Sequence, residues 1–122
     1  MLRSPLNNIK IAEHFWLYEF QCPDCRCVKI DVRILEYLEI LREMVARPIY
    51  ITSGYRCPDY NLKVGGVKNS YHLTGKAVDI STEKFNKVKI SQYASQIGFR
   101  GIGVYSNHIH LDIRDTPSYW EG

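Results

Sequence analysis

The segment HIHLD, residues 108–112, alternates ionisable and apolar side chains. Successive side chains of an extended strand point to opposite faces. His108, His110 and Asp112 therefore share one face, and Ile109, Leu111 and Ile113 take the other. Three ionisable groups on one sheet face are costly to bury unless they pair or bind a metal. The segment KAVDIS, residues 76–81, repeats the pattern, with Ala77, Asp79 and Ser81 opposite Val78 and Ile80. If the two strands are neighbours, Asp79 can approach His110. His72 lies just upstream, close to Gly75, where the backbone can bend to aim a side chain. Two imidazoles and a carboxylate, His72, Asp79 and His110, form a natural three-ligand set for one catalytic zinc ion, whose fourth position holds a water of lowered pKa. A structural zinc more often takes four protein ligands. On spacing alone, this metal centre stands level with a plainer alternative. A single strand histidine is usually a satisfied polar residue, and Asp79 could serve a turn or a cap.

The elements that must position these residues follow from local pattern. Residues 9–20 are rich in aromatics and read as a short helix or clamp. Asp31 can cap a helix running to about residue 47, with Ile34, Leu35, Leu38, Leu41 and Val45 at helical spacing, and Pro48 stops it. Residues 49–52 are a short β-rich run. The polar stretch 53–75 is too long for an idle connection and is the kind of loop that carries function. A second helix is expected from residue 82 or 83 to 97, closed by Gly98. Strands 101–105 and 108–113, joined by Ser106 and Asn107, read as a tight antiparallel hairpin. The expected class is α+β: a small antiparallel sheet carrying the zinc site, with flanking helices, in one domain spanning 1–122.

With 122 residues, the chain is long enough to bury a core without staples. A net charge of +3, from 16 basic and 13 acidic residues, is too mild and dispersed for a nucleic-acid binder, although it suits an anionic polymer such as a bacterial wall. No apolar run could span a bilayer, so no membrane insertion is expected. Residues 1–10 lack the apolar centre of a secretory signal. The expectation is a monomer, cytoplasmic until released or carried to the wall by a phage particle.

Cys22, Cys25 and Cys27 crowd together, and Cys57 follows Arg56. Disulfide frameworks usually spread their cysteines. Three readings stay open: a second, four-thiolate structural zinc site, a disulfide from Cys57 to one of the others, or free thiols in a reducing compartment.

The pattern SxHxxGxAxD, here Ser70, His72, Gly75, Ala77 and Asp79, together with the later HIHLD, resembles the zinc D-Ala-D-Ala carboxypeptidase family, peptidase family M15. That family sits in a wider group with lysostaphin-type endopeptidases and hedgehog domains. SGYRCPDYN (residues 53–61), VGG (64–66) and GIGVY (101–105) extend the resemblance across residues 15–120. It implies zinc ligands His72, Asp79 and His110, a catalytic role for His108, and an Arg56 that binds substrate and stabilises the developing oxyanion. Ser70 is implied as a substrate contact or an orienting group, against a simple loop cap. Asp112 is expected to support an imidazole. The implied activity is zinc-dependent hydrolysis of peptidoglycan stem peptides, at the D-Ala-D-Ala end or the L-Ala-D-Glu bond. One position departs from the pattern: Asn107 stands where several branches carry a carboxylate base, and an amide cannot take a proton. His108 is then the candidate base, with an unperturbed pKa suited to proton transfer near neutrality. The alternative is a zinc-containing module that binds wall or protein without catalysis.

Overall fold

The computed structural model describes residues 6–122. The expectation about an export signal in residues 1–10 thus falls partly outside the described residues. Helix α1 (Val32–Val45) begins where expected, because the Asp31 carboxylate accepts from the Arg33 backbone N–H at 2.9 Å. It ends at Ala46, which turns left-handed two residues before Pro48.

Strands β1 (Lys10–Ala12) and β2 (Phe15–Trp16) form a small antiparallel ribbon, followed by a 3-10 turn at Leu17–Phe20. The main sheet contains β3 (Ile51–Ser53), β4 (Ala77–Ser81), β5 (Gly101–Val104), β6 (His108–Asp112) and β7 (Ser118–Glu121), in the order β3-β4-β6-β5-β7. The class is α+β, but the sheet is mixed and not purely antiparallel, because β7 runs parallel to β5. Residues 53–75 are not a bare loop either. They fold into α2 (Pro58–Lys63) and a 3-10 turn at Tyr71–Thr74. Pro58 opens α2 at a position whose N–H would go unused, which is where proline fits a helix. Helix α3 (Lys87–Ile97) starts a turn later than expected: Phe85 N–H bonds to the Thr82 carbonyl in a turn, and Asn86 caps the helix.

One face of the sheet is apolar. Val78, Ile80, Ile109 and Leu111 join Ile34, Leu38 and Leu41 of α1 and Ile90 and Ala94 of α3 in one cluster that also takes in Phe15 and Phe20. Each fully buried aliphatic or aromatic side chain there contributes about 1.5–3 kcal/mol. The alternation read in β4 and β6 therefore leaves the other face for polar groups, and a slip of one residue would exchange the two faces. No helix among the described residues is long and apolar enough to cross a membrane.

Candidate metal centre

Antiparallel pairing sets Asp79 of β4 directly across from His110 of β6. The His110 Nδ1 lies 3.1 Å from Asp79 Oδ1, and His72 Nε2 approaches the same oxygen at 3.2 Å. His72 arrives from the 3-10 turn after β3, on a backbone pinned by the Arg56 N–H donating to the His72 carbonyl at 3.1 Å. The two imidazole rings meet edge-on, with centroids 5.1 Å apart.

The far side of each ring decides which nitrogen carries the proton. His72 Nδ1 is 2.7 Å from the Gly54 carbonyl, which can only accept, so Nδ1 donates and the Nε2 lone pair faces Asp79. His110 Nε2 is 2.7 Å from Asp112 Oδ2, again an acceptor, so the Nδ1 lone pair faces Asp79. Two nitrogen lone pairs and a carboxylate oxygen then converge, and this arrangement requires a proton or a cation among them. The spacing of 3.1–3.2 Å is close to the ~3.3 Å separating neighbouring ligands around a tetrahedral cation with ~2.05 Å bonds. His72, Asp79 and His110 thus have the donor types, the orientation and the spacing that zinc takes. Burial pushes the Asp79 carboxyl up, but the His110 and His72 rings, when they carry an extra proton, outweigh it and hold it well below the usual carboxylate range. Burial pushes His110 down, and the Asp112 and Asp79 carboxylates overcome this and raise it above the usual imidazole value.

The other expected residues divide. Arg56 reaches the site: Nη2 is 3.2 Å from Asp79 Oδ2, Nε donates to Ser53 Oγ at 3.0 Å and Nη1 to Asn61 Oδ1 at 3.3 Å. This pair is largely buried rather than a surface ion pair. Ser70 caps the 3-10 turn, its Oγ accepting from the His72 N–H at 3.1 Å, so its first task is holding His72. His108 shares the face with His110 but stays outside the cluster. It stacks on Tyr105 at 4.5 Å, with Nδ1 3.2 Å from Asn107 Oδ1.

A cleft of about 550 Å³ opens over these groups, lined by Arg56, Ser70, His72, Asp79, His108 and His110. A larger hollow of about 760 Å³ between α3 and β7 has no histidine, cysteine or carboxylate in its lining, so its size carries no chemistry. The cleft wall also contains Arg114 and Trp120. Neither stood out in the sequence. Arg114 Nη2 and Nε grip the buried Asp112 carboxylate at 2.6 and 2.9 Å, and its guanidinium lies between the rings of Tyr71 and Trp120 at 5.0 and 4.8 Å. Trp120 donates to the Tyr105 hydroxyl at 2.8 Å and flanks His110. Gly101 and Gly103 of the GIGV strand explain this arrangement. They face Asp112 and His110 across the ladder, and a Cβ at either would overlap the Asp112 carboxylate or the Trp120 indole. The signal was in the sequence: two glycines spaced by one residue in an otherwise apolar strand mark a close approach on one face.

Over 92 residues the chain is 32% identical to the peptidoglycan L,D-endopeptidase MepK of Escherichia coli (strain K12), a stretch covering 68% of this chain and 50% of that protein. The MepK protein of Shigella flexneri matches to the same extent. The chain spans about half the length of the curated relatives it matches. A profile described as Peptidase M15 matches residues 14–112, which take in both arms of the His72–Asp79–His110 cluster, and the chain belongs to the peptidase M15 family.

Proposed function

We propose that residues 1–122 form one zinc-dependent peptidase domain that hydrolyses a peptide bond of peptidoglycan stem peptides. The observation that carries this reading is the convergence of His72 Nε2, His110 Nδ1 and Asp79 Oδ1 at the floor of an open cleft. Membership of the family supports it, and so do relatives named as peptidoglycan L,D-endopeptidases. Between the two bonds considered, those names favour an L,D cleavage over removal of a terminal D-Ala.

Zinc held by His72, Asp79 and His110 would supply Lewis acidity, polarising a carbonyl and lowering the pKa of a bound water toward ~7. The chain's own groups do the rest. Arg56 presents its guanidinium beside Asp79, where it can hydrogen-bond an oxygen gaining negative charge. His108 lines the same cleft with one face covered by Tyr105. Asn107 cannot accept a proton, so we assign the proton transfer between water and the leaving amine to His108. Ser70 orients His72 through its backbone, with its hydroxyl also at the cleft. Asp112 fixes the His110 ring, and Arg114 neutralises Asp112.

The test is incubation of the purified, zinc-supplied chain with muropeptides, followed by mass spectrometry. Cleavage by the parent protein and none by His110→Ala is the expected result. Intact muropeptides with both proteins would refute catalysis and leave the non-catalytic wall-binding reading, which the amide at Asn107 favours.

A further inference from the structure

The cysteines lie away from the cleft, and the proposed chemistry uses none of them. The chain from Cys22 to Cys27 folds back on itself: Cys22 N–H donates to the Cys27 carbonyl at 2.8 Å, and Arg26 N–H donates to the Cys22 carbonyl at 2.9 Å. Arg26 takes a left-handed conformation, φ 61°, to close the turn. A third backbone bond, Tyr55 N–H to the Phe20 carbonyl at 2.8 Å, brings Cys57 alongside. As a result the sulfurs of Cys22, Cys25 and Cys57 all lie within 4.8 Å of one another. Cys27 is exposed and sits on the same turn, two residues beyond Cys25 and outside that group of three.

We infer that Cys22, Cys25, Cys27 and Cys57 form a second metal site, which takes a structural zinc ion in a four-thiolate shell. The spacing is the first argument. Cys22 and Cys57 sulfurs are 3.7 Å apart, close to the ~3.8 Å edge of a tetrahedron with ~2.3 Å zinc–sulfur bonds. A disulfide would need ~2.05 Å, a separation these two free thiols do not have. The second argument is a backbone N–H group aimed at the cluster. That of Tyr60 donates to the Cys57 sulfur at 3.4 Å, at the first turn of α2. An amide donor on sulfur stabilises the thiolate form that binds metal. The third argument is sequence form. C-x-x-C supplies one half of a thiolate site, and Cys27, just past the left-handed Arg26, is the remaining thiol on the same turn.

Such a site is closed, with every position taken by protein, and its role is to clip the segment after Phe20 to the residue beside Arg56. It does not depend on the His72–Asp79–His110 reading, and the experiment separates the two. Zinc is measured on the full chain purified from zinc-supplied medium. The expected content is two ions per chain, falling to one in Cys25→Ser/Cys27→Ser and to one in His72→Ala/His110→Ala. Should the cysteine variant fail to fold, two measurements on folded protein decide. The His72→Ala/His110→Ala chain loaded with cobalt(II) should show thiolate-to-metal charge-transfer absorption. The four thiols of the parent should resist alkylation until a chelator is added. The inference is overturned if the cysteine variant keeps the full metal content of the parent. It is equally overturned by an intact mass showing a disulfide, or by four thiols that alkylate freely in metal-replete protein lacking the charge-transfer band.

Discussion

Replacing Asp112 by Asn alters one charge in a place closed to bulk solvent. The Asp112 side chain is fully buried, while those of Arg114 and His110 keep 23% and 13% exposure. Its carboxylate accepts from Arg114 Nη2 at 2.6 Å, Arg114 Nε at 2.9 Å, the Arg114 backbone N–H at 3.0 Å and His110 Nε2 at 2.7 Å. An amide of the same shape keeps one oxygen for the backbone N–H, but it turns N–H groups toward a guanidinium and an imidazole N–H. Breaking a fully buried pair costs about 3–5 kcal/mol. Arg114 retains some solvent and the rings of Tyr71 and Trp120, so the expected loss is smaller, about 2–3 kcal/mol. At ~4 °C per kcal/mol for a chain of this size, the melting temperature should fall by ~8–12 °C. The acceptor that fixes the His110 ring is lost as well, which should weaken zinc binding ~10–100-fold. Urea unfolding of chelator-treated protein measures the first effect, and competition with a chromophoric chelator measures the second. A variant within ~0.5 kcal/mol of the parent, with zinc affinity inside a factor of two, would refute the reasoning that Asp112 holds both Arg114 and the ring.

Four further outcomes are expected. Gly101→Ala should cost about 2–3 kcal/mol in urea unfolding, because its new Cβ overlaps the Asp112 carboxylate, which Arg114 holds in place. Leu111→Ala, on the opposite face of the same strand and fully buried, should cost about 2–5 kcal/mol yet leave zinc stoichiometry unchanged. Chelator-treated protein should be most stable between about pH 4 and 6.5. The depressed carboxyls of Asp79 and Asp112 contribute stability above the ordinary carboxylate pKa that disappears as pH falls through their folded values. The raised His110 contributes stability below ~6.5 that disappears as pH rises through its folded value. Urea unfolding across that range should therefore show a maximum, and a flat profile counts against the network. Arg56→Ala should lower kcat on a cleavable muropeptide by about 10²–10³, and an unchanged kcat would remove Arg56 from oxyanion stabilisation.

The face assignment of the site was legible because strand alternation is a local rule. Residues 76–81 and 108–112 each announce one apolar and one polar face, and pairing them sets Asp79 across from His110. Helix α1 was legible for the same kind of reason, through the Asp31 cap and Pro48. The parallel strand β7 was not. Its four residues, SYWE, pair with β5 through contacts that no local pattern encodes, and with it went Trp120 as a wall of the cleft. Helix α2 is six residues, too short for periodicity to register, although Pro58 at its first turn was a usable sign. The tautomers of His72 and His110 depend on the Gly54 carbonyl and on Asp112, partners that spacing along the chain does not order. The resemblance contributed the distinction between His108 and His110, which alternation alone puts on the same face.

Trp120 has one more consequence. The chain contains two tryptophans, and Trp16 lies beside Tyr18 on the small ribbon, while the Trp120 ring is 5.4 Å from that of His110. An excited indole passes an electron readily to a protonated imidazole and far less readily to a neutral one. The Trp120 share of the ultraviolet emission should therefore respond to the charge on His110. A chain whose imidazole is held neutral by a cation should glow more brightly than one whose imidazole carries a proton, and the state of the cleft can be followed in real time without a dye.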